Sequence, residues 1–321
     1  MRILITGAAG FIGFNLSKFL LINRKVKIYG VDNLNEYYSK KLKLNRIKKL
    51  KKFKNFNFKK IDICKKDLLI NFIKHKNIQI IINLAAQAGV RYSLEKPSEF
   101  VNNNILGFYN IINTANELGI KKIIYASSSS IYGDSNKFPL KENQNVNPKN
   151  IYALSKKTNE EMARVFSKQH KISFIGLRFF TVYGEWGRPD MLLMKYLEAS
   201  YNKKKKFFLN NFGNHTRDFT YILDACELVK KIIFSKKIKS NHEIFNICSN
   251  NPIRLKKIIG EIDDLTNRKP KIYKRSLQQA DVVKTHGSNK KIQLFIGHQK
   301  FTPIKSGLFK TLDWYKKYYN Y

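Results

Sequence analysis

A short β-branched and aliphatic run, Arg2–Thr6, stops abruptly at a glycine-rich turn, Gly7–Gly13, and continues as an apolar-periodic segment to about Leu21. A strand of this kind, with no polar alternation, reads as buried on both faces in a parallel sheet. The glycines are spaced for a strand–turn–helix unit: Gly7 permits the tight turn, Gly10 lets backbone approach a pyrophosphate, and Gly13 allows close helix–strand packing. Phe11 and Ile12 open the helix, whose unpaired N–H groups and partial positive charge face the same anion.

The next apolar run, Val26–Val31, ends in Asp32, 19 residues beyond Gly13. A carboxylate there, with Asn33 beside it, can accept from adenosine ribose hydroxyls and repels a 2′-phosphate, so the expected cofactor is NAD rather than NADP. Lys41–Lys54 reads as a basic, solvated outer helix. Phe56–Ile61 leads to Asp62 and Ile63, placed to meet the adenine ring. A fourth strand, Gln79–Leu84, ends in Leu84, Ala85 and Ala86, small enough for backbone to lie against the cofactor. A helix over 98–118 carries Asn104, and a fifth strand, Lys122–Ala126, delivers Ser127–Ser130 at the sheet edge where ligands bind. The pattern predicts a Rossmann-type, doubly wound α/β fold over residues 1–180. A smaller substrate lobe is expected over 181–321, partly interleaved with the first, with a hairpin-like lysine-rich stretch at 202–207.

The chemistry-bearing pair is Tyr152 and Lys156, four residues apart and therefore on one helix face. A tyrosine with a reference pKa of about 10 is a poor base at neutral pH. An adjacent ammonium, with a cationic nicotinamide ring nearby, favours the phenolate. Ser128, arriving from a strand end, can bridge substrate and phenolate.

The formal charge of +38 favours anionic ligands, but the lysines are scattered and no nucleic-acid-binding motif accompanies them. Neither specific nucleic acid nor a membrane is expected as a partner. Cys64, Cys226 and Cys248 lack metal or disulfide spacing, the histidines form no ligand motif, and no apolar run approaches a membrane span of about 20 residues. The expectation is a cytoplasmic protein with reduced thiols and no metal.

Taken in order, these motifs, with Arg178–Gly184 (RFFTVYG) and Arg217–Tyr221 (RDFTY), resemble the extended short-chain dehydrogenase/reductases. Within them the chain is most similar to nucleotide-sugar 4-epimerases acting on UDP-glucuronate, through Ala86–Ser93, Tyr125–Ser130 and Phe180–Met191. The resemblance implies NAD as cofactor, a UDP-sugar as substrate and a homodimer paired through the helices around 98–118 and 150–168. It implies Tyr152 as base, Lys156 holding the nicotinamide ribose, and Ser128 bridging sugar O4 and phenolate. Arg91, Ser129, Thr181, Arg188, Arg217 and Gln278 are the implied substrate-binding positions. Dehydratases and decarboxylases of this superfamily carry an acid where this chain has Ser130, and neutral-hexose epimerases usually carry Asn where it has Thr181. Glu185 departs from a usual proline, and Gln278 from a frequent arginine. Other readings stay open: an oxidoreductase or 4-epimerase acting on a different nucleotide sugar such as another UDP-hexose, a nucleotide-sugar dehydratase or decarboxylase, and a non-catalytic NAD-sensing protein on the same fold, which would be expected to lose Tyr152 or Lys156.

Overall fold

In the computed structural model, which describes residues 1–237 and 240–321, seven parallel strands form one sheet. They are β1 (Arg2–Thr6), β2 (Lys27–Asp32), β3 (Phe56–Lys60), β4 (Ile80–Asn83), β5 (Lys122–Ser128), β6 (Ser173–Phe179) and, after intervening strands, β10 (His242–Ile247). Their spatial order is β10-β6-β5-β4-β1-β2-β3. The order reverses between β1 and β4, which is where a doubly wound sheet opens a crevice at its carboxyl edge. Two small sheets lie beyond β6. In one, β9 (Thr216–Tyr221) pairs with β7 (Thr181–Tyr183) and β11 (Pro252–Arg254); in the other, β8 (Phe207–Asn210) pairs with β12 (Ile272–Arg275).

The central strands β1, β4, β5 and β6 are buried on both faces, as their unbroken apolar runs require, whereas the edge strand β3 is largely exposed. Ile3 and Ile5 of β1 pack with Phe14 and Leu20 of the helix Phe11–Asn23 and with Leu228 of the helix Ile222–Phe234. Leu4, between them, faces the other way, into Phe108, Ile111 and Ile112 of the helix Gly107–Glu117. The period of two along β1 thus divides the core into two layers.

Three expectations are corrected. The basic helix spans Lys40–Leu50 and is not simply solvated, because Lys43 and Arg46 are buried on the same face as Leu42, Ile47 and Leu50. The helix expected over 98–118 is continuous from Pro97 to Glu117 but not regular, because a π-helical stretch at Val101–Leu106 lies inside it. The wide turn aims Asn104 inward and brings Gly107 so close to Ile63 that an added Cβ would meet its side chain at 2.7 Å. The stretch 202–207 is no hairpin, for β8 runs parallel to the distant β12.

Candidate active site

Gly7 closes β1 with φ +68°, where a Cβ would come within 2.7 Å of the Ala85 backbone nitrogen. Only glycine lets the ends of β1 and β4 lie this close, at the point where strand order reverses. The helix that follows has Gly10 at its N-cap, no side-chain cap and no acid in its first turn. Its first N–H groups therefore face the crevice without a protein partner, the donor set that a pyrophosphate needs.

Asp32 ends β2 and is already held: one carboxylate oxygen accepts from Ala9 N at 3.1 Å, the other from Leu34 N at 2.8 Å. Burial raises its pKa, while these N–H groups and the nearby Lys43 and Arg46 act against the rise. Asp62 accepts from Asn33 Nδ2 at 3.0 Å and from Cys64 N at 2.8 Å, and those bonds outweigh burial, so its pKa falls. A neutral-sugar edge with two oriented carboxylates fits an adenosine ribose, and the residues present fit a dinucleotide along the whole crevice.

All of the residues expected at the cofactor line this cleft except Asn104, and Ser128, Tyr152 and Lys156 line it too. Asn104 is fully buried with its amide committed to the protein: it accepts from Gln87 N at 2.7 Å and donates to Gln87 O at 3.1 Å and Ser155 Oγ at 2.9 Å. It braces the cleft wall instead of forming it.

The helix Ile151–Gln169 begins at Asn150, whose side chain caps Ala153 N at 2.9 Å. Tyr152 sits in its first turn, half-buried, and Lys156 one turn later is buried with its ammonium donating to Ala126 O at 2.9 Å. Burial alone pulls the Lys156 pKa down to about 8. A further turn on, Glu160 accepts from Ser127 Oγ at 2.6 Å and takes both forks of Arg178, at 2.9 and 2.7 Å. Ser128 Oγ donates to Ser130 Oγ and accepts from Ser130 N, each at 3.1 Å, which fixes its position at the end of β5.

A second cleft of 580 Å³ adjoins the first and is lined by Arg91, Thr181, Arg188 and Arg217 among the expected residues. Lys195, Lys205, Lys206 and Arg275 add to a basic lining suited to phosphates and carboxylates. Arg91 pairs with Asp281 at 2.7 Å. Arg217 donates to the carbonyls of Thr216 and Val283, and burial lowers its pKa to about 10 against the pull of Asp281. Arg188 lines both clefts, with Nε and Nη2 on Asp190 at 3.0 and 2.6 Å. Burial raises the Asp190 pKa, but the Arg188 pair more than offsets it and leaves the net shift downward; Tyr37, also common to both clefts, donates to the same carboxylate at 3.1 Å. Ser129 and Gln278 line neither cleft. Ser129 starts a 3₁₀ turn, and Gln278 is half-buried with its amide on Ser276 O.

Sequence reasoning missed Tyr37, Lys43, Asp190 and Asp281. For Lys43 a signal existed: Leu42, Ile47 and Leu50 mark one helix face, and Lys43 and Arg46 fall on it. The others sit in turns without periodicity. Among the described residues no group of three or more His, Cys, Asp or Glu is gathered to hold a metal ion, and no helix is long and apolar enough to cross a membrane.

Residues 3–248 match the model of the NAD dependent epimerase/dehydratase family. The chain is 41% identical to an uncharacterised protein of Methanocaldococcus jannaschii, covering 98% of this chain and 96% of that one. It is 36% identical to a UDP-glucuronate 4-epimerase of Thermodesulfobacterium geofontis, again covering 98% and 96%. Among solved structures it resembles UDP-glucuronic acid 4-epimerase from Bacillus cereus in complex with UDP-glucuronic acid and NAD. There the TM-score is 0.93 and the identity 28%, over 99% of this chain and 100% of that one.

Proposed function

Because this chain belongs to the NAD dependent epimerase/dehydratase family, we propose that it is a 4-epimerase converting UDP-glucuronate to UDP-galacturonate through a transient 4-keto sugar. The observation that carries this reading is the meeting of the two clefts: Ser128, Tyr152 and Lys156 line the dinucleotide cleft, and Arg188 lines that cleft and the basic one. NAD, when bound, would supply a hydride acceptor and donor for C4, and inversion requires the flat 4-keto sugar to turn over between the two transfers.

The chain supplies the rest. Tyr152 is the base: Ser128 Oγ accepts the proton from O4–H and gives its own proton to the Tyr152 oxygen, so that one proton leaves O4 and one arrives on Tyr152. Lys156, held on Ala126 O, places a cation one turn from Tyr152 and is the group that holds the nicotinamide ribose. Arg91, Arg217 and Asp281 hold the nucleotide end, while Thr181 and the remaining Arg188 donor receive the C6 carboxylate. Ser129 and Gln278, from neither cleft wall, act on the substrate at most by moving toward it.

The same reading makes the protein a cytoplasmic homodimer serving polysaccharide biosynthesis. Val101, Leu106, Tyr109, Leu154 and Val165, exposed on the two helical segments expected to pair, support the dimer. The test is incubation of the purified protein with UDP-glucuronate, with products resolved by NMR. UDP-galacturonate should form, and Tyr152→Phe should cut kcat by about 10²–10⁴ with the fold intact. Absence of UDP-galacturonate, or near-normal turnover in a folded Tyr152→Phe protein, overturns the proposal.

A further inference from the structure

Arg46 is fully buried, yet no carboxylate is bonded to it. Its two terminal nitrogens divide between two loops. Nη1 donates to Ala9 O at 2.7 Å and to Tyr38 OH at 2.6 Å; Nη2 donates to Trp186 O at 2.5 Å and Gly187 O at 3.4 Å. Nε has no partner among the described residues. Ala9 belongs to the glycine-rich turn that faces the pyrophosphate, and its own N–H holds Asp32. Trp186 and Gly187 immediately precede Arg188 on the loop that joins the two clefts, and Trp186 is held at φ +61°.

A buried, unpaired guanidinium is costly unless its donors are satisfied and a counter-charge is near. Two of the three nitrogens are satisfied only if both loops keep these positions. A planar fork with its donors at fixed angles suits that double attachment; a lysine ammonium is a single point and cannot reproduce it. A second tether runs alongside: Asn15 Nδ2 on the glycine-turn helix donates to Glu185 O at 3.2 Å.

From this geometry we infer that Arg46 is a positioning residue that couples filling of the dinucleotide pyrophosphate site to the setting of the Trp186–Arg188 loop, and so to binding of the uronate. Pyrophosphate seated on the glycine turn fixes Ala9 O, Ala9 O fixes the guanidinium, and the guanidinium fixes the carbonyls before Arg188. The substrate cleft is thereby set before sugar arrives. The inference rests on the function proposed above.

ADP-ribose is the probe that isolates this path, since it carries the pyrophosphate and adenosine but no nicotinamide to touch the sugar. UDP-glucuronate is titrated calorimetrically into cofactor-free full-length protein with and without saturating ADP-ribose. In the wild type, ADP-ribose should tighten UDP-glucuronate binding by about fivefold or more, the lower range of site-to-site coupling. In Arg46→Lys and Arg46→Met the ratio should fall to within about twofold of one, with ADP-ribose still bound. Amide exchange of residues 184–188 in the wild type should slow on adding ADP-ribose, a readout that needs no variant to fold. A merely structural Arg46 would lower thermal stability and leave the coupling ratio as it is. Coupling that persists in both variants overturns the inference, as does a wild type in which ADP-ribose changes neither UDP-glucuronate affinity nor loop exchange. If the NAD-loaded wild type epimerises UDP-glucuronate but shows no coupling, this inference alone fails. If it neither binds nor epimerises that sugar, the proposed function fails and takes this inference with it.

Discussion

Glu160 and Ser127 meet at 2.6 Å across the gap between the helix that carries Tyr152 and the strand end that carries Ser128. The same carboxylate takes both forks of Arg178 on β6, so one buried acid ties helix, β5 and β6 together. Tyr152, Lys156 and Glu160 climb the helix at intervals of four, and the third member sets the distance at which the first two meet the strand.

Removing Glu160 leaves Arg178 as an uncompensated charge in the interior. Glu160→Ala should lower unfolding free energy by about 3–5 kcal/mol. Adding Arg178→Met should recover part of that loss, because both partners are then gone. Chemical denaturation of the two variants checks this; a double variant no more stable than the single one would show that the pair is not the source.

Burial lowers the Lys156 pKa to about 8 from an ordinary 10.5. Between those values the unfolded chain holds more protons than the folded one. The group's penalty on cofactor-free protein is therefore full below pH 8 and fades as pH rises to 10.5. Lys156→Met should exceed the cofactor-free wild type in stability below pH 8, by roughly 3 kcal/mol at most. The margin should close toward pH 10.5, and thermal unfolding across pH 7–10.5 reads it. A margin that does not vary with pH would mean that Lys156 is not titrating there.

Oxidation at C4 places a ketone β to the C6 carboxylate, and such acids lose CO2 when the breaking bond aligns with the carbonyl π system. Arg188 is the candidate restraint, and losing a charge-assisted hydrogen bond worth about 1.5–3 kcal/mol should raise KM for UDP-glucuronate roughly 10- to 100-fold in Arg188→Ala. The fraction of turnovers ending as UDP-pentose or its 4-keto form should rise as well. Unchanged affinity would show that the carboxylate binds elsewhere, and a raised KM without decarboxylated product would reduce Arg188 to a binding role.

Asp32 lines the dinucleotide cleft at the end of β2, and under the proposed function its charge is what repels a 2′-phosphate. Asp32→Asn should shift the NADP-to-NAD affinity ratio toward NADP by about tenfold or more, the effect of about 1.4 kcal/mol. Titration of both dinucleotides measures the ratio; a wild type binding both equally would remove the carboxylate as the discriminating group.

The parallel sheet, the glycine turn, Asp32, Asp62 and the Tyr152–Lys156 helix were legible because each rests on a local rule: unbroken apolar strands, fixed glycine spacing, a period of four. The residues that the local rules misplaced answer to long-range packing. Arg46 looks solvated when lysines around it dominate the count, yet the aliphatic stripe it shares with Leu42 and Ile47 turns it inward. Asn104 is expected at the cofactor from its place in the motif order, whereas the π-helical turn points it at Gln87 and Ser155, a backbone irregularity that no periodicity announces. Arg188 is expected at the substrate from its motif alone; that Asp190, two residues on, occupies two of its nitrogens is decided only by three-dimensional placement.

The seventh strand of the main sheet, β10, is drawn from residues 242–247, far beyond β6 in the chain. Synthesis runs from the N-terminus, so β6 is complete well before the strand that covers it exists. Throughout that interval the backbone of Ser173–Phe179 is an open, apolar edge with one row of donors and acceptors unpaired. An edge of that kind recruits any strand within reach, including the same segment of a neighbouring nascent chain. The main sheet is therefore closed on that side only once residues 242–247 have been made, and until then pairing of β6 with its own late partner competes with pairing to another chain.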